Sequence, residues 1–192
     1  MHGAGGERGV RSEISNLKSQ ISIQLTSTSP LPSWGALFHS RLLPLDSIEA
    51  DSSGIALRKS ISRVASDGSL SLLDPADTLH VGERVRIRID ITCLHDMDNL
   101  VLNEPRAAGF EPVSTSSGWR WNQGLSYYVD VRDEGINCYI DHLDKGKYYV
   151  EYDLYVRHAG TFATGSSTLG SAYAPQFRAN APSATIRITK KQ

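Results

Sequence analysis

The ten residues Arg84–Cys93, RVRIRIDITC, leave this chain little choice of backbone. Val85, Ile87, Ile89, Ile91 and Cys93 take every second position, and Arg84, Arg86, Arg88, Asp90 and Thr92 take those between. Successive side chains of a strand point to opposite faces, so a strand gathers the apolar groups on one side and the polar ones on the other. A helix needs apolar residues at i, i+3 and i+4, and would scatter these arginines into its buried stripe. The pattern specifies a strand with one buried face.

Lys145–Arg157, KGKYYVEYDLYVR, is a second such stretch. After a glycine turn, Tyr148, Val150, Tyr152, Leu154 and Val156 alternate with Lys147, Glu151, Asp153 and Arg157, and Tyr149 and Tyr155 fall on the wet face. A run of about eleven residues is long for a strand, and predicts a central place in an antiparallel sheet. Shorter strands are expected at residues 55–61, 69–73, 100–102, 125–131, 136–141, 161–163 and 184–189, with turn signals such as Asp67-Gly68 and Asp74-Pro75 between them. Many alternating strands and few helices predict an all-β, immunoglobulin-like antiparallel β-sandwich.

Upstream, residues 1–12 read as a flexible, Gly-rich lead-in, and residues 13–20 as one or two helical turns. Short strands are expected at residues 21–25 and Trp34–Phe38, a short N-terminal β extension. Polar residues cluster at Glu49–Ser53, which places a boundary there and the sandwich at residues 50–192. The 192 residues are 40% hydrophobic and 21% charged, with a net charge of −1, which suits a globular chain and supplies no basic excess for nucleic acid. No apolar run approaches the roughly 20 residues that span a bilayer, so direct membrane insertion is not expected. The first residues lack the apolar core of a signal peptide, so the chain as given carries no export address.

Catalytic signatures are missing from the sequence: no Gly-rich phosphate loop, no zinc spacing, no nucleophile elbow. We expect no enzyme activity, no cofactor and no metal site. His95, Asp96 and Asp98, with Asp141, His142 and Asp144, form two carboxylate–imidazole groups, but both lie at predicted strand ends, where charged residues gather because the ends are wet. Asp130, Asp133 and Glu134 are read as solvating a turn before Gly135.

Cys93 and Cys138 both fall on the inward sets of their strands, with Trp119 and Trp121 between them in sequence. A disulfide of the immunoglobulin kind and a pair of buried thiols both remain open, because strand pairing sets the distance. The tyrosine-corner position, two residues before Cys138, holds Ile136. The stretch Ser117–Gly135, SGWRWNQGLSYYVDVRDEG, is the richest in aromatic residues. Trp119, Trp121 and Tyr127 are candidates for an interface, since Trp, Tyr and Arg anchor many of them. The plainer reading is that these rings fold back and seal the end of the sandwich.

Eight short elements carry a family resemblance, in order: Trp34–Phe38, Leu79–Val85, Asp96–Leu100, Ala107–Pro112, Ser117–Trp121, Leu143–Gly146 with the tyrosine strand, His158–Phe162 and Ala172–Pro175. Over about residues 20–190 the chain resembles the last domain of bacterial alpha-2-macroglobulins, in the form common in Bacteroides-type organisms. The resemblance implies a macroglobulin-like sandwich at residues 50–192, and makes residues 13–48 the strands returning from a thioester domain. It implies a non-catalytic part of a broad-range endopeptidase inhibitor, periplasmic or at the cell surface. Its partners would be the upstream domains of the parent protein and, through the parent, proteases. The thioester itself needs a Cys-Leu-Glu-Gln-like run, which follows neither Cys93 nor Cys138. In such proteins a tyrosine of the terminal domain shields the thioester from water, and Tyr173 is the positional candidate here. Two alternatives stay open: Tyr173 packed under its own loop, and a stand-alone β-sandwich binding or adhesion module.

Overall fold

A computed structural model describes residues 14–17, 20–23 and 50–190. Contacts divide the chain into two units, Met1–Arg41 and Leu42–Gln192. In the first, β1 (Ile14–Leu17) and β2 (Gln20–Ile23) form an antiparallel hairpin with Ile14 opposite Ile23. Where a helical turn is expected over residues 13–20, the described residues 14–17 and 20 are strand instead. The strand expected at Trp34–Phe38 lies outside the described residues.

The second unit contributes β3 (Asp51–Ser52), β4 (Ile55–Val64), β5 (Leu70–Leu72), β6 (Thr78–His80), β7 (Arg84–Cys93) and β8 (Met97–Pro105). It continues with β9 (Phe110–Pro112), β10 (Gly118–Asn122), β11 (Leu125–Arg132), β12 (Gly135–Leu143), β13 (Gly146–Val156), β14 (Gly160–Ala163), β15 (Ser167–Ser171), β16 (Arg178–Ala181) and β17 (Thr185–Thr189). No helix occurs among the described residues.

These strands form a seven-stranded sheet ordered β10-β11-β12-β8-β15-β16-β3 and a five-stranded sheet ordered β5-β4-β7-β13-β9. A small sheet, β14-β17-β6, adds one parallel pair, β17 with β6. In the two large sheets every pairing is antiparallel. The alternation over Arg84–Cys93 holds without exception: Val85, Ile87, Ile89, Ile91 and Cys93 are all buried. This strand, not β13, is the middle of its sheet, and β13 lies between it and the short outer strand β9. The inward residues of β7 and β13 meet Leu100, Leu102, Cys138, Ile140 and Leu169 from the other sheet in one core. Burying such side chains, at about 25 cal/mol per Å², is the main term that holds the sheets face to face.

The β11–β12 connection is a two-residue turn, Asp133-Glu134, with Arg132 opposite Gly135. Glycine is required at 135 because the chain there lies against β8: a Cβ would sit 2.1 Å from the Glu104 carbonyl oxygen. That close approach fixes the register of β12 on β8, and with it the residues brought together below.

Candidate docking surfaces

Tyr173 stands in the connection between β15 and β16. β15, just before it, pairs with the centre of the seven-stranded sheet, Leu169 opposite Leu102. The loop that follows is fastened at both ends. The Ala172 N–H donates to the Asn99 carbonyl at 2.8 Å, the Ala174 N–H to Ser171 Oγ at 3.2 Å, and the Phe177 N–H to the Ala174 carbonyl at 2.9 Å. Phe177 packs against the core beside it. From this fastened loop the Tyr173 ring projects outward, 84% exposed, so it is not packed under its own loop.

Nearby in the fold, the two separate acidic groups of the sequence become one. His142 on β12 lies directly opposite Asp98 on β8. Its Nδ1 is 2.6 Å from Asp98 Oδ1 and its Nε2 is 3.1 Å from Asp144 Oδ1. Hydrogen bonding to Asp98, then to Asp144, holds the imidazole pKa above its ordinary value. Asp96 instead accepts the Lys145 backbone N–H at 2.8 Å. The two ring nitrogens point to different carboxylates, so the three side chains share no apex at which a cation would sit. The Ser171 hydroxyl donates to the Asp98 carbonyl at 3.3 Å, which ties this cluster to the Tyr173 loop.

The Ser117–Gly135 stretch does not seal the sandwich. It forms β10 and β11 at one edge of the seven-stranded sheet. Trp119 is opposite Tyr128, and Tyr128 is opposite Tyr139, so the three rings form one row across the outer face. Trp119 and Trp121 stack at 6.4 Å between centroids, and Trp119 meets Tyr128 edge-on at 5.8 Å. Trp121 is 74% exposed. Tyr127, offered with the tryptophans as an interface residue, faces the other way: it is 5% exposed, and burial pushes its hydroxyl up to about 12. Adjacent residues of a strand must diverge, so Tyr128 holds the outward place.

Inside the sandwich is a polar chain that sequence reading missed. Lys59 on β4 approaches Glu104 Oε1 to 2.6 Å and reaches the Thr164 and Gly165 carbonyls at 3.3 Å each. The Tyr152 hydroxyl donates to the same carboxylate oxygen at 3.3 Å. Burial raises the Glu104 pKa, against the pull of Lys59, and burial likewise raises that of Tyr152 well above normal. Ser167 Oγ favours the Glu104 charge without a well-aligned hydrogen bond, and Glu104 Oε2 has none either among the described residues. Lys59 and Glu104 each stand in a strand whose neighbours alternate cleanly, and only their non-local pairing brings them together.

Cys93 and Cys138 are both buried, and both carry free thiols in this fold. Cys93 ends β7 opposite Ile55 and Gly146, and its thiol donates to the His95 carbonyl at 2.8 Å. Cys138 lies within β12, opposite Leu102 and Val129 in the other sheet, where burial pushes its thiol up to about 12.

Two antiparallel sheets packed face to face around one apolar core make an immunoglobulin-like β-sandwich. Solved structures share the fold. Salmonella alpha-2-macroglobulin reacted with methylamine matches with TM-score 0.59 and 19% identity, over 76% of this chain and 10% of that one. Native Escherichia coli alpha-2-macroglobulin from domain MG7 to its C-terminus matches with TM-score 0.59 and 15% identity, over 76% of this chain and 25% of that one. Residues 54–176, more than half of the chain, match the bacterial alpha-2-macroglobulin MG10 domain, and the chain belongs to that family. An alpha-2-macroglobulin homolog of Nostoc sp. is 26% identical over 138 residues, covering 64% of this chain and 7% of that protein. The chain thus spans a small part of its relatives.

Proposed function

We propose that this chain is a non-catalytic C-terminal domain of a broad-range endopeptidase inhibitor, periplasmic or at the cell surface, which packs against the thioester domain of its parent and keeps water from the thioester. Residues 13–48 are then the strands returning from that domain, and residues 50–192 the sandwich that closes over it. The observation that carries the reading is Tyr173, a large ring 84% exposed on a loop tied to β8 through Asn99 and to β15 through Ser171. A ring with two torsions excludes water at low entropic cost. The experiment is Tyr173→Gly in the intact parent protein. Faster loss of the thioester to water and methylamine is expected, and unchanged reactivity would falsify the shielding role.

A second reading, a β-sandwich binding or adhesion module acting without upstream domains, is favoured by the exposed row of Trp119, Tyr128 and Tyr139. It requires the isolated chain to be monodisperse and to hold a ligand through that row. An isolated chain that binds nothing until upstream domains are restored excludes it.

A further inference from the structure

We propose that the cleft between the two large sheets, on the flank of β9, β10 and β11, docks an extended segment of a partner protein in which an apolar side chain has an acidic one two residues to either side, so that all three share one face. The cleft encloses about 280 Å³. Its walls are apolar, with Val129, Val131 and Ile136 from one sheet and Val150 from the other. Tyr127 and Tyr152 also line it.

Two arginines line the same cleft, and among the described residues neither faces an acid. Arg106 donates only to the backbone carbonyls of Arg132, at 3.3 Å, and Asp133. Arg120 donates only to those of Trp119, at 3.0 Å, and Ser116, at 3.1 Å. Arg63, Arg84, Arg86, Arg88, Arg132 and Arg157, by contrast, each face a carboxylate. The cleft's own acids, Glu151 and Asp153, are taken by Arg84, Arg86 and Arg88. Arg106 lines the cleft with Tyr152, and Arg120 with Tyr127. Each guanidinium has five N–H donors in a fork that fits a carboxylate, so donors remain for a ligand.

Apolar walls beside two acid-free cations call for an amphipathic anion. The strands around the cleft make that anion a peptide. β9 and β10 are the outer strands of their sheets, each with one side unpaired within them. An unpaired strand edge offers main-chain N–H and C=O groups to an extended segment, which a free carboxylate cannot use.

The test is peptide binding to the whole 192-residue chain, followed by backbone amide NMR. The probes are acetyl-ETVTE-amide, its QTVTQ and KTVTK counterparts, and hexanoate. ETVTE is expected to shift amides at Arg120, Val129 and Val150. Arg120→Gln and Arg106→Gln are each expected to weaken binding about fivefold, as loss of a partly exposed ion pair does. Arg106→Lys, which keeps the charge, should retain part of it, and Arg132→Gln, on a cation already paired to Asp130, should have no effect. The inference falls if ETVTE does not bind at ~1 mM, a few kcal/mol of affinity. It falls equally if QTVTQ binds as well, if hexanoate shifts the same amides as strongly, or if Arg132→Gln weakens binding as much. Tyr173→Gly is expected to leave ETVTE binding intact, so this test and that of the shielding role fail separately.

Discussion

Lys59 Nζ and Glu104 Oε1 lie 2.6 Å apart in the core, one on the five-stranded sheet and the other on the seven-stranded sheet. They are a charged clasp between layers joined mainly by apolar contact, and the Tyr152 hydroxyl reaches the same carboxylate from the five-stranded sheet. Removing a buried charge's partner strands the other charge, which costs about 3–5 kcal/mol, whereas replacing both with apolar groups of similar volume is often near neutral. Lys59→Met and Glu104→Leu alone should each lower the unfolding free energy by about that amount, and the double variant by much less. Denaturant unfolding of the three variants measures this; single and double variants losing equal stability would show that the pair is not coupled.

The imidazole of His142 gives the fold a pH dependence of known sign. Its folded pKa is raised by the Asp98 and Asp144 hydrogen bonds above an ordinary value of 6.5. The contribution is therefore fully present below that value and is lost as pH rises through the folded pKa, when the ring keeps one N–H for two carboxylates. NMR titration should place His142 above 6.5 and return it toward that value in Asp98→Asn. Unfolding midpoints of wild type and His142→Asn should differ most at mildly acidic pH and converge as pH rises; a gap that widens instead reverses the argument.

Both thiols are shut away in the native fold. The thiolate is the reactive form, and burial raises the pKa of Cys93 and pushes that of Cys138 up to about 12. Native protein should react slowly with a disulfide reagent. In denaturant both cysteines should titrate, with or without prior reduction. A thiol count that depends on reductant would restore the disulfide.

Trp121 lies on an outer strand, 74% exposed, and carries little of the fold. Trp121→Ala should change stability by about 0.5 kcal/mol or less, the usual range for a surface position. Leu125→Ala, one strand in and fully buried, should cost about 2–5 kcal/mol. Similar losses for the two would mean that Trp121 packs as a core residue.

The period-2 signal made much of the sandwich legible. It located β4, β7, β11, β12, β13 and β17, because each puts large aliphatic groups on one face. It lost β15, whose STLGS has one large apolar side chain and whose burial comes from the strands on either side. It also treated Gly118–Asn122 as loop, since an edge strand has no inward set to betray it. Tyr127 was misplaced even though Leu125, Tyr127, Val129 and Val131 already formed an inward series. The His142 and Lys59 contacts were illegible for another reason: they join residues 44 and 45 positions apart, the first through sheet register and the second through the packing of one sheet on the other.

The order of strands in the larger sheet has a consequence for synthesis. β8 is flanked by β12 and β15, and Leu102 waits for Leu169. A ribosome delivers residues in sequence, so the nascent chain carries β8 with one side bare until β15 emerges. Bare strand sides are where chains stick to one another. Slowing translation between Leu102 and Leu169 is therefore expected to lower the soluble yield of this protein.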